Sequence, residues 1–112
     1  MTDRKPTDRR QHPEPILEIV RVRCVEGTVR GAEASLRELL ATPGSHVGHL
    51  VRSATTPHDL GLHLRAEADP SAPIGASALG LRVAEALRAF GPVSHSVWIE
   101  IATNPPASED PR

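Results

Sequence analysis

A chain of 112 residues holds one domain and not two, and at this size it can bury a real core. Lys plus Arg number 13 against 14 for Asp plus Glu, a formal net charge of −1, which lacks the basic excess of a nucleic-acid binder. No apolar run reaches the roughly 18 residues that cross a bilayer, and the charged, proline-rich start has no apolar core of a signal peptide. With the single Cys24 unable to close an internal disulfide, these features read as a cytoplasmic protein with a reduced thiol.

Residues 1–15 are polar and broken by Pro6, Pro13 and Pro15, and residues 103–112 have the same character. Both are expected to be disordered tails flanking one domain over 16–102. Within it, Ile16 to Val25 reads as a strand, with Ile16, Glu18, Val20, Val22 and Cys24 on one face and Leu17, Ile19, Arg21, Arg23 and Val25 on the other. Glu26-Gly27-Thr28 ends it. Val29, Ala32, Leu36, Leu39 and Leu40 then recur at helical spacing, and Thr42-Pro43-Gly44 stops that helix.

Val47 to Ser53 and Leu60 to Glu67 read as two strands of a hairpin, with Ala54 expected opposite Leu60. That register groups Leu50 and Arg52 with Leu62, Leu64 and Ala66, and Val47, His49 and Val51 with His63 and Arg65. Residues 68–76 form a loop. Ser77 to Phe90 is a second helix with Ser77 as its N-cap and Leu79, Val83, Leu87 and Phe90 as its apolar stripe. Gly91-Pro92 stops it, and Val93 to Ala102 alternates as a last strand, Val93, His95, Val97, Ile99 and Ile101 against Ser94, Ser96, Trp98 and Glu100.

The order strand, helix, strand, strand, helix, strand gives an α+β fold: a ferredoxin-like βαββαβ antiparallel sheet with both helices on one face. The other face mixes Arg21, Arg23, Val51 and Trp98 with polar groups, a composition suited to an interface. A two-fold homodimer is therefore expected.

Leu39-Leu40-Ala41-Thr42-Pro43-Gly44, then Leu50-Val51-Arg52-Ser53, Pro57 and the strand Leu60 to Leu64 resemble the antibiotic biosynthesis monooxygenase family. The resemblance implies a dimeric α+β barrel in which two ferredoxin-like chains pair their sheets. It also implies one of three activities: cofactor-independent oxygenation of aromatic polyketides or quinols, haem degradation, or no catalysis. Family members often carry a tryptophan near the end of the third strand, where this chain has Arg65-Ala66-Glu67, and the haem-degrading branch uses a histidine on the second helix, which Ser77 to Phe90 lacks. No catalytic residue transfers from the family.

From the residues themselves, His95 is the candidate catalytic group, because it interrupts an apolar strand face where an imidazole can exchange a proton with a ligand. Leu62, Leu64, Leu79, Val83 and Phe90 are the expected walls of a small apolar ligand site between sheet and helices. The competing reading makes His95 a core histidine bonded to backbone or water. Cys24 is expected near His95 but lacks a third group to make a nucleophile, and behaves as a small hydrophobe. His46, His49, His58, His63 and His95 are spread over both faces and both hairpin ends, so no metal site is expected, and no cofactor motif such as a Walker loop is present. Arg21 and Arg23 are expected to meet Glu100 or carboxylates across the interface. Two functions remain open: a small-molecule-binding dimer that is a cofactor-independent monooxygenase, and a non-enzymatic domain that dimerises or binds a partner.

Overall fold

The computed structural model describes residues 15–41, 43–44, 46–67 and 74–104; apart from Pro15, which opens the first strand, and Thr103 and Asn104, the expected tails at 1–15 and 103–112 lie outside them, as does most of the 68–76 loop. The elements follow the expected order: β1 Pro15–Arg23, α1 Val29–Leu40, β2 Val47–Arg52, β3 Asp59–Glu67, α2 Ala78–Leu87 and β4 Val93–Ile99. All pairings are antiparallel and the sheet order is β2-β3-β1-β4, so the two central strands come from different halves of the chain. This is the ferredoxin-like α+β arrangement, with α2 packed on β1 and β4 and α1 on β3 and β2.

Alternation along β1 decides which side is core. Val20 and Val22 are buried beneath the helices, while Arg21 and Arg23 point to the open face. The core is completed by Leu60, Leu62 and Leu64 of β3, Ala32 and Leu36 of α1, and Val83, Ala84 and Leu87 of α2. Aliphatic side chains of this kind contribute roughly 1.5–3 kcal/mol each when fully buried.

The hairpin register differs from the expected one. Arg52, not Ala54, stands opposite Leu60, and Ser53 N–H donates to the Asp59 carbonyl at 3.0 Å. The shift is two residues, and because side chains alternate with period two, every residue keeps its expected face. Ser53 explains the longer loop: its Oγ accepts from the N–H groups of Thr55 and Thr56, which holds a turn a residue-count argument does not see.

The last strand also ends early. β4 stops at Ile99, and Ile101, expected on its apolar face, is 93% exposed. Its pairing partner β1 begins at Pro15, whose carbonyl accepts from Glu100 N–H but which has no N–H to extend the ladder. At the opposite end of the sheet, Gly91 is needed for close approach. A Cβ there would run into the Arg23 carbonyl, where Arg23 N–H donates to Pro92 and Val25 N–H to Phe90.

Candidate functional site

The helix-facing side of the sheet contains one buried charged side chain, Glu18, at 4% exposure. On β1 it stands opposite Leu64 of β3 and Val97 of β4; His95 stands opposite Val20. Glu18 and His95 are thus diagonal neighbours across the β1–β4 pair, a separation that two long side chains can close. They do so: His95 Nε2 lies 2.6 Å from Glu18 Oε2.

The carboxylate is held from the other side by α2. Ser77 Oγ donates to Glu18 Oε1 at 2.6 Å, and Ser77 N–H donates to Oε2 at 3.1 Å. Ser77 is the N-cap of α2, as its position before the apolar stripe predicts, and its Oγ accepts from Gly80 N–H at 2.9 Å. In a capping box a Glu at the third helical position reaches back to the cap's own N–H. Here that position is Gly80, and the carboxylate arrives instead from β1. A Cβ on Gly80 would collide with the Glu18 carboxyl group. The glycine therefore vacates the space the foreign carboxylate fills, and the helix N-terminus favours its negative charge.

A carboxylate only accepts hydrogen bonds, so a bond from His95 to an ionised Glu18 takes a proton on Nε2. The His95 side chain remains 18% exposed. One ring nitrogen is tied down inside while the residue still meets the surface. No buried side-chain nitrogen or oxygen is left without a partner among the described residues.

Glu18 was not singled out by the sequence reading. Its signal in the sequence is one carboxylate on the strand face Ile16, Val20, Val22, Cys24, which gains meaning only once the register and α2 show what it meets. The expected wall residues divide. Leu62, Leu64 and Val83 are fully buried in the packed core, whereas Leu79 and Phe90 are half-buried at its margin. Leu79 is the second residue of α2, two positions after Ser77. Phe90 follows the far end of α2, over Gly31 of α1, about 16 Å along the helix direction from Leu79.

Cys24 is not brought to His95. It lies four residues beyond Val20, roughly 13 Å along the strand direction. Burial pushes its thiol pKa up, opposed by a weaker hydrogen bond with Thr28. Arg23 pairs with Asp59, Nε to Oδ1 at 3.1 Å, and Glu100 pairs with Arg65 at 2.9 Å; the expected contact of Arg21 or Arg23 with Glu100 is absent because the β1–β4 register places Glu100 beside Pro15, at the opposite end of the sheet from both arginines. His49 and His63 are direct cross-strand neighbours on the open face, away from His95, and no group of three or more metal-ligating side chains occurs among the described residues. A cleft of about 600 Å³ lies at the Arg23 end of the open face, lined by Arg21, Arg23, Gly61, His63 and Ser94 among others, and neither Glu18 nor His95 lines it.

A four-stranded antiparallel sheet in this order, with both helices on one face, defines a ferredoxin-like α+β domain, and no helix among the described residues is long and apolar enough to cross a membrane. The fold is that of antibiotic biosynthesis monooxygenase-like proteins. The chain is similar in structure to a protein described as an antibiotic biosynthesis monooxygenase from Nitrosomonas europaea, at a TM-score of 0.57 and 14% identity over 80% of this chain and 92% of that one. It is equally similar to a protein so described from Chloroflexus aurantiacus, at a TM-score of 0.56 and 11% identity over 81% and 97% of the two chains. No protein-family model matches the sequence, and no curated protein matches it significantly.

Proposed function

We propose that the chain is a small-molecule-binding domain working as a two-fold homodimer, in line with the monooxygenase-like proteins whose fold it has, and that His95 is the proton-accepting group that meets the ligand. The observation that carries this reading is the held histidine: 2.6 Å from a buried carboxylate, yet still 18% exposed. A base oriented by a second group is the usual arrangement for removing a proton from a substrate. Leu79, two residues after the Ser77 that holds Glu18, supplies an apolar wall, with Leu62, Leu64 and Val83 as packed core. Phe90 lies at the other end of α2 and reaches only a ligand that extends along the helix. If the domain is catalytic, its reaction is an oxygenation that needs no cofactor and starts with that proton.

The open face supports the dimer. Trp98 is 57%, Val47 60% and Val51 38% exposed there, beside half-buried Leu17 and Ile19. An apolar stripe of this kind is what a stable interface of more than about 1,000 Å² uses. Light scattering should give twice the 12.0 kDa chain mass; a monomer at micromolar concentration refutes the dimer.

The second reading, a domain that dimerises or binds a partner without catalysis, is favoured by one observation: Leu62, Leu64 and Val83 expose no more than 1% of their surface. Native mass spectrometry of freshly purified protein separates the two. A retained small molecule that His95→Gln releases supports the first; a bare dimer, unchanged by that substitution and inert in oxygen-consumption assays with phenolic substrates, supports the second.

A further inference from the structure

We infer that Glu18 is a positioning residue: it fixes His95 in the tautomer with the proton on Nε2, which leaves Nδ1 as the hydrogen-bond acceptor the protein offers to a ligand. The inference deepens the reading of His95 as the ligand-meeting group, and rests on that reading only for the ligand; the tautomer itself is a property of the free protein.

Three features make the arrangement one-directional. Ser77 Oγ already accepts from Gly80 N–H, so its own proton is free to go to Glu18 Oε1, and its N–H goes to Oε2. These donors aim the carboxylate before His95 is considered. The carboxylate, having no proton to give, then requires one from Nε2 at 2.6 Å. Finally, Gly80 leaves the carboxylate a seat against the helix backbone that no other residue type leaves open. A cap alone needs none of this: a Glu at position 80 would reach the Ser77 N–H locally, from the surface of the helix.

The ligand class follows from the chemistry of a lone pair beside a buried anion. Nδ1 accepts from a hydroxyl and repels a carbonyl oxygen, and the Glu18 charge disfavours a carboxylate. The favoured ligand is an uncharged molecule that offers a hydroxyl.

Glu18→Gln tests this in the full chain. Ser77 N–H also lies 3.3 Å from Oε1, so with the amide oxygen in that place both Ser77 donors can reach it and the amide NH₂ is turned toward His95; Nε2 must then accept, and the proton moves to Nδ1. Nitrogen-15 NMR of the imidazole rings reads the tautomer directly. The expected result is Nε2–H in the natural protein and Nδ1–H in the variant. A folded variant that keeps Nε2–H overturns the inference. Should the variant not fold, the natural protein decides: the His95 Nε2 proton should be observable and slow to exchange, unlike the ring protons of the other five histidines. Exchange as fast as theirs overturns it as well. Phenol and acetophenone serve as hydroxyl and carbonyl probes of similar size. The natural protein should favour phenol at His95 by about tenfold, the worth of one net hydrogen bond, and Glu18→Gln should reverse the order. A tautomer that flips while neither probe perturbs His95 upholds the role of Glu18 and refutes the ligand-binding reading.

Discussion

Replacing His95 by leucine separates a strand read alone from a strand read with its neighbours. Among Val93, Val97 and Ile99, a histidine looks like a polar intruder, and His95→Leu should be close to neutral. Glu18 reverses that expectation. The substitution leaves a 4% exposed carboxylate with only the Ser77 donors. The lost hydrogen bond is to a charged group, about 1.5–3 kcal/mol, and breaking a fully buried pair costs roughly 3–5 kcal/mol. Ser77 keeps part of the compensation and leucine adds apolar burial, so a net loss of about 2 kcal/mol is expected. For a domain of this size that lowers the melting temperature by roughly 8–16 °C. The assay is thermal unfolding by circular dichroism at pH 7, supported by urea melts with an unchanged slope. Adding Glu18→Met to the leucine variant removes the stranded charge and should recover more than half of the loss. A His95→Leu protein within about 2 °C of the natural one, or a double variant weaker than the sum of the singles, would refute the coupling.

Gly80→Ala should destabilise, although alanine in place of glycine within a helix normally gains about 1 kcal/mol, because the new Cβ enters the seat of the Glu18 carboxyl group; a raised melting temperature would contradict this. Cys24, buried with its thiol pKa raised by that burial, should react with iodoacetamide at pH 8 many times more slowly in the native protein than in denaturant; equal rates would place it at the surface. Arg37 hydrogen-bonds Glu33 one turn away, Nη2 to Oε2 at 2.7 Å, and holds its carboxyl below the usual range. The folded pKa being the lower one, this pair supports the fold above the ordinary carboxylate range and loses that effect as pH falls through the folded pKa. Carboxyl NMR titration should show Glu33 returning to ordinary values in Arg37→Gln.

Much of the fold was legible because periodicity is a local property. The apolar spacing from Val29 to Leu40 places α1 on its observed bounds, and Ser77 as N-cap of α2 is visible from Ser, Ala and Leu alone. The hairpin faces came through a two-residue register error for the same reason. Where the reading fell short, the deciding group lay elsewhere in the chain. Ser53 Oγ sets the loop, Pro15 ends the β4 ladder, and the antiparallel β1–β4 register carries Glu100 away from Arg21 and Arg23 to Arg65. His95 could be found from its apolar neighbours, but its partner could not: Glu18 is 77 residues away, and only the β1–β4 register brings them diagonal.

Glu18 also departs from what stability alone would select. A capping carboxylate at position 80 would sit at the helix surface with no desolvation penalty and would replace a glycine that costs the helix about 1 kcal/mol relative to alanine. The chain instead buries the carboxylate under α2, keeps the glycine, and ties a histidine to the same oxygens. A buried, hydrogen-bonded carboxylate is weak support for stability, since apolar residues of like volume commonly do as well. Local preference at Glu18, Gly80 and His95 is thus set aside three times at one point of an otherwise consistent fold. Departures that coincide in space, and that together leave one nitrogen of a half-buried histidine without a partner among the described residues, are the pattern of a site kept for binding rather than for folding.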